Sequence, residues 1–239
     1  MKELILFLHV PKAAGTSINT LLKNHSNTCF VNNGNVAASV ADVLRSNILE
    51  YEYTQALSGH FCYGIHKDIN RQSTYTAILR NPVDRVLSLF FYALKTPFHY
   101  KHKELSEKVK TLGLSETLLD FIRTNKEANN NQVSQLSGIK VKKYSNKELD
   151  IATENIAKDF MSVGSFNYLN KYVEDLAHQM GWKKEIRVPN ENANNTKPVD
   201  EIGQNVIDEI EELNQFDKKL FEGVKYGIFN RRKWGMVTR

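Results

Sequence analysis

The tightest constraint on the fold lies near the start of the chain. Leu4-Ile5-Leu6-Phe7-Leu8-His9-Val10 is a nearly continuous apolar run that Pro11 stops, and Lys12-Ala13-Ala14-Gly15-Thr16-Ser17 then leads into Ile18–Lys23. A run without polar alternation predicts a strand buried on both faces of a parallel sheet, and Ile18–Lys23 predicts a short helix. A loop joining such a strand to a helix N-terminus presents backbone N–H groups and the positive end of the helix dipole, which is an anion site. Gly15 allows close backbone approach, Thr16 and Ser17 add hydroxyl donors, and Lys12 brings a charge. The lysine precedes the glycine, whereas a Walker A loop needs G-x-x-x-x-G-K-[ST], so ordinary ATPase or GTPase chemistry is disfavoured. Taken alone, the segment also fits a tight strand-to-helix turn with a solvent lysine.

Further strands are predicted at Thr28–Val31, Leu57–Tyr63 (running into a loop), Thr74–Leu79 and Phe160–Gly164. Helical spacing of apolar residues marks Val36–Leu49, Val83–Leu94 with Pro82 at its first turn, Leu114–Ile122, Lys147–Ala157, Tyr168–Met180, Val199–Glu212 and Gln215–Tyr226. Pro189–Pro198 reads as an Asn-heavy loop. Strands alternating with helices predict an α/β fold, a single domain over residues 1–239 with a mostly parallel central sheet flanked by helices. The polar stretch at about 97–159 reads as a helical insertion.

Composition narrows the class. The 239 residues are 41% hydrophobic and 25% charged, near globular averages, which sets aside collagen-like, disordered and membrane-spanning chains. The net charge of +5 suits an anionic ligand better than a nucleic acid, where clustered Lys and Arg would be expected. Cys29 and Cys62 are too few for a disulfide scaffold and read as free, inert buried thiols in a reducing compartment. The apolar run Leu4–Leu8 is shorter than a secretory core, and no segment approaches the roughly 18 apolar residues of a transmembrane helix. The expectation is a soluble, cytoplasmic protein. No metal-ligand spacing and no G-x-S-x-G elbow is present.

A second segment, Tyr75–Tyr92, completes the argument. Arg80 follows a strand, where open α/β sheets bind ligands. Ser88 lies about two turns along the next helix, so its reach to the same phosphate depends on how that helix packs. Arg85 reads as a surface charge pairing with Asp84 or another acid, and Phe90-Phe91-Tyr92 as helix core. Together the two segments, about 65 residues apart, resemble the signatures of sulfotransferases that use 3′-phosphoadenosine 5′-phosphosulfate (PAPS). The likeness is to the carbohydrate branch, of the heparan sulfate 2-O-sulfotransferase kind.

That resemblance implies roles for particular residues. Pro11–Ser17 matches the loop for the 5′-phosphosulfate, which assigns donor binding to Lys12, Ala13, Ala14, Gly15, Thr16 and Ser17. Arg80, Pro82, Arg85 and Ser88 match Arg-x-Pro-x-x-Arg-x-x-Ser, with Arg80 and Ser88 as contacts of the 3′-phosphate and a late contribution from Thr196 or Lys197. Asn131–Gly138 is similar to a segment that lies near the acceptor, and residues 97–159 fall on the acceptor side. Gly59-His60 matches the pair that carries the catalytic base, and Lys12 joins His60 as a catalytic residue. His66 is the alternative base, since positions six apart on an unbroken strand point to one side. His9 reads as buried packing. The implied reaction moves the sulfuryl group from PAPS to a hydroxyl acceptor, a carbohydrate or small metabolite first, with lipid and protein hydroxyls also open. It leaves the 3′,5′-bisphosphate and needs no metal. Tyr92 would lie near the adenine or acceptor, and His99–Lys103 is read as a solvated basic loop rather than a guide for an anionic acceptor. The alternatives are a nucleotide-binding module without transfer activity and a small-molecule kinase.

Overall fold

The computed structural model describes residues 3–31, 53–182, 186, 188 and 202–224, together with the backbone of residues 228–230. The expected Val36–Leu49 helix and the loop carrying Thr196 and Lys197 lie outside the described residues. In chain order the elements begin with β1 (Leu4–Leu8), α1 (Gly15–His25), β2 (Thr28–Val31), β3 (Ala56–Gly59) and β4 (Ser73–Leu79). Helices α2 (Pro82–Lys95), α3 (His102–Leu112), α4 (Leu114–Thr124), α5 (Asn131–Ser137) and α6 (Asn146–Asp159) follow. The chain continues through β5 (Phe160–Ser165), α7 (Leu169–Met180), α8 (Gln204–Leu213), α9 (Gln215–Glu222) and β6 (Ile228–Asn230).

The strands form one sheet in the order β2-β3-β1-β4-β5-β6. The first five are mutually parallel, and β6 pairs antiparallel with β5 along Ser162–Gly164. β1 lies at the centre, and all five of its residues are buried, as an unbroken apolar run requires. From β1 the chain moves to one side to build β2 and β3, and from β4 it moves to the other side to reach β5. The crevice between the C-terminal ends of β1 and β4 is therefore the topological switch point, where open α/β sheets bind ligands. The loop after β1 and Arg80 after β4 both open onto it.

Two buried clusters support this frame. One surrounds the sheet and includes Leu6, Phe7, Ile18, Ile78, Phe160 and Leu176. The other joins α2 to α3, α4 and α8 through Phe90, Leu105, Leu118, Phe121, Val206 and Ile210. Residues 97–159 thus supply helices α3 to α6, with α3 and α4 packed on α2 rather than on the sheet. Asn81 caps α2 by accepting from the Val83 and Asp84 N–H groups, with Pro82 at the first position. Ser145 and Glu148 form a capping box on α6.

Some expectations are corrected in detail. Helix α1 starts at Gly15, so Gly15, Thr16 and Ser17 form its first turn instead of preceding it. His102 and Lys103 open α3, leaving only His99–Lys101 of the basic run as loop. β6 closes one edge with a reversed strand that the apolar pattern of three residues was too short to announce.

Candidate active site at the switch point

The loop after β1 is shaped by two non-glycine residues in the left-handed region, Lys12 (φ 66°) and Ala14 (φ 62°). Each costs about 1–2 kcal/mol for an L-residue, strain of the kind that collects at functional sites. Alternation of this kind turns successive N–H groups toward one concavity, a backbone nest for an anion. No side chain caps α1, and its first ladder bond runs from Ile18 N to Ala14 O at 3.1 Å. The N–H groups of Gly15, Thr16 and Ser17 therefore precede the helical ladder and face the positive end of the dipole. Thr16 is exposed and Ser17 is buried. The Lys12 ammonium lies 3.9 Å above the centre of the Tyr92 ring on α2.

Arg80 ties the segment after β4 to the loop after β1. Its Nη1 donates to the Lys12 carbonyl at 2.9 Å, and its guanidinium lies 4.3 Å from the centre of the Phe166 ring beyond β5. Its Nε is buried with no hydrogen-bond partner. An unpaired buried donor costs about 1–3 kcal/mol, and Arg85 Nε and Nη1 in the neighbouring interior are likewise without a hydrogen-bond partner. Ser88 is half-buried and stands one turn before Tyr92 on α2, so it shares the face that Lys12 touches. The uncapped helix start and the strained nest suit an anion, with the Arg80 guanidinium beside them.

Arg85 is not the surface charge expected from its neighbours. It is fully buried, its Nη2 donates to the Glu127 carbonyl at 2.9 Å, and it lies in the field of Asp217. Asp217, also fully buried, accepts the N–H groups of Gln132 (3.1 Å) and Val133 (2.8 Å), capping α5 from α9. The Gln132 side chain then grips Arg80 twice, accepting from its N–H at 2.9 Å and donating to its carbonyl at 3.0 Å. One turn on, Gln135 Nε2 donates to the carbonyls of His9 (3.4 Å) and Phe61 (3.3 Å). The short helix α5 thereby clamps the ends of β1, β3 and β4 together. The resemblance singles out Asn131–Gly138 as a segment near the acceptor, but neither this clamping role of Gln132 and Gln135 nor Asp217 is foreseen, because nothing local distinguishes a buried glutamine from a solvated one.

His60 follows β3 and is half-buried beside the loop. Its Nδ1 lies 2.9 Å from the His9 carbonyl, which only accepts, so Nδ1 carries the hydrogen and Nε2 keeps the lone pair. Burial lowers its pKa from 6.5, opposed by the bond to His9 and the Glu127 charge, so the ring is neutral near pH 7. His66 is in a different setting. β3 ends at Gly59 and Gly64 turns at φ 114°, so the two histidines share no strand. His66 instead meets the Tyr75 hydroxyl at 2.9 Å, beside the Tyr63–Asp159 hydrogen bond. Tyr75 lies opposite Leu6 of β1, well short of the strand ends. His9, expected as buried packing, is half-buried like His60 and stacks on it with ring centres 4.0 Å apart.

Phe90 and Phe91 are buried in the helical cluster, whereas Tyr92 is 47% exposed. The His99 ring contacts Tyr92 at 5.7 Å and Tyr100 at 4.7 Å, and Tyr100 is 79% exposed. An aromatic strip thus leads outward from Lys12. Neither cysteine is in a disulfide, and both are half-buried, not enclosed. No group of side chains suited to a metal ion occurs among the described residues, and no helix among them is long and apolar enough to cross a membrane.

No curated protein matches the chain. Among solved structures, a mouse sulfotransferase, SULT7A1, determined in complex with PAP, matches at 13% identity and a TM-score of 0.45. The match covers 91% of this chain and 66% of the mouse protein, so the chain spans just under two thirds of that relative's length. The model of the sulfotransferase family matches residues 1–226. With nearly its whole length so matched, the chain belongs to the sulfotransferase family.

Proposed function

We propose that this protein transfers the sulfuryl group of PAPS to a hydroxyl acceptor, a carbohydrate or small metabolite. The observation that carries the reading is the junction of the two phosphate segments, where Arg80 Nη1 meets the Lys12 carbonyl at 2.9 Å beside the uncapped start of α1. Two anion sites so joined suit a donor with phosphates at both ends of its ribose. The nest of Lys12–Ser17 would hold the 5′-phosphosulfate, and Arg80 with Ser88 would hold the 3′-phosphate. PAPS supplies the activated sulfuryl group. Lys12 and the N–H groups of Gly15, Thr16 and Ser17 neutralise the charge that builds as the group departs, preorganised for it by the helix start. His60 takes the acceptor's proton at Nε2, the nitrogen left free by its bond to the His9 carbonyl.

The kinase alternative gains nothing from this site, which carries no Walker lysine after the glycine. A binding module without transfer would favour a base histidine closed into the core, and His60 is only half-buried. The strip from Tyr92 through His99 to Tyr100 supports an acceptor side formed by residues 97–159. The test is calorimetry with adenosine 3′,5′-bisphosphate and 5′-AMP, followed by an acceptor screen with labelled PAPS. The bisphosphate is expected to bind at least about 100-fold more tightly than 5′-AMP, the scale of a charge-assisted bidentate contact. Arg80→Ala should erase most of that difference. Equal affinities in the unmutated protein would sink the reading.

A further inference from the structure

His9 stands behind the loop in a position its sequence context does not reveal. Leu8 of β1 is in register with Gly59 of β3, so His9 and His60 leave neighbouring strands side by side. The His9 N–H donates to the Gly59 carbonyl at 2.9 Å, extending the ladder by one step. Parallel strands stand about 4.8 Å apart, and the two imidazoles close to a stack of 4.0 Å at 28°. Phe7, on the same face of the strand, backs His9 at 5.9 Å. The other side of the contact is the phosphate loop. A Cβ on Gly15 would fall 1.6 Å from His9 Nε2, inside the ring's own volume. Gly15 is not among the residues with positive φ, so the backbone does not require glycine there. The imidazole does.

We propose that His9 is a positioning residue that joins the base to the phosphate loop. Its carbonyl selects the nitrogen with which His60 acts, its ring face sets the plane of the His60 ring, and its ring edge fixes how near Gly15 lies. This rests on the reading of His60 as the base and of Gly15–Ser17 as the donor loop. The arrangement is held from both ends. The His9 carbonyl takes the His60 hydrogen at 2.9 Å and a longer bond from Gln135 at 3.4 Å. The groups facing the stack, beyond each other, are Lys12 on the loop and Glu127 ahead of α5. Burial, His60 and Lys12 hold His9 down to about 3, so it stays neutral while His60 titrates beside it. Proton exchange is left to His60 alone.

Two measurements test this without an acceptor. Calorimetry with adenosine 3′,5′-bisphosphate reads the loop. Gly15→Ala should weaken binding at least about 30-fold, since a methyl group and the ring cannot share one volume. Adding His9→Ala to Gly15→Ala should recover about tenfold or more, the non-additivity of residues in contact. Ring NMR reads His60, its resonance identified by its loss in His60→Ala. His9→Ala opens one face of that ring to water, and its pKa should rise toward 6.5. Melting curves check that each variant folds, and His9→Asn, smaller but flat and polar, replaces His9→Ala in both arms if the alanine variant does not. Additive losses in the double variant together with an unmoved His60 titration overturn the positioning role. Failure of the unmutated protein to bind the bisphosphate overturns the functional reading instead.

Discussion

Acid should unfold this protein partly through one residue. His9 titrates at about 3 in the folded chain, against an ordinary 6.5, because burial and the neighbouring His60 and Lys12 disfavour its charged form. A base whose folded pKa is depressed binds its proton first in the unfolded chain, so stability falls as the pH drops below 6.5 and keeps falling toward 3. At pH 7 the effect is about 0.2 kcal/mol. At pH 5 the unfolded chain gains about RT ln(1 + 10^1.5), or about 2 kcal/mol, from this site alone. Other histidines with lowered values, His60, His66 and His99, push in the same direction. The assay is therefore comparative: urea unfolding at pH 7 and pH 5 for the unmutated protein and for His9→Asn. The variant is expected to lose about 2 kcal/mol less across that interval. Parallel losses in the two proteins would refute the claim that His9 is held neutral by its surroundings.

Two further outcomes follow from the buried network beneath the site. Asp217→Ala leaves the buried Gln132 and Val133 N–H groups without their acceptor and uncaps α5, so it should cost about 1–3 kcal/mol or more in denaturant unfolding; a loss under about 0.5 kcal/mol would mean that the cap contributes little. Gln132→Ala removes both bonds to the Arg80 backbone, and calorimetry should show the 3′,5′-bisphosphate binding about tenfold more weakly with 5′-AMP scarcely changed. An equal loss for both nucleotides would assign Gln132 to general stability instead.

What could be read from the sequence follows from what is local. The unbroken apolar run of β1 declares a two-sided buried strand, and Pro82 behind Asn81 declares a helix start, because each signal lies within a few neighbouring residues. The segments Pro11–Ser17 and Arg80–Ser88 stand out in the sequence for the same reason, and the phosphate roles given to them are those proposed above. Gln132, Gln135 and Asp217 were not, since each acts through partners more than 50 residues away. Arg85 misled because its nearest acid in sequence, Asp84, points outward while the helix turns Arg85 into the interior. Gly15 looked like a concession to a ligand's backbone approach. Its missing side chain also makes room for an imidazole that the chain itself supplies.

The mutual grip of α5 and α9 also sets an order of assembly. Asn130 accepts from the N–H groups of Phe216 and Asp217, while its own N–H and side chain bond Asn214 and the Leu213 carbonyl. A seven-residue helix such as α5 is too short to persist by itself. As the polypeptide leaves the ribosome, β1, β3 and β4 are available to pair long before residues 213–217 emerge, domains being built from the N-terminal end onward. Until those residues arrive, α5 lacks its cap, and the glutamines it carries have nothing to hold them against Arg80 and His9. A chain stopped short of residue 213 has five parallel strands to align and no means of closing the crevice between them. On the function proposed above, ligand capture becomes a property of the finished product, and a synthesis fragment, however well its strands pair, would not compete with it for nucleotide.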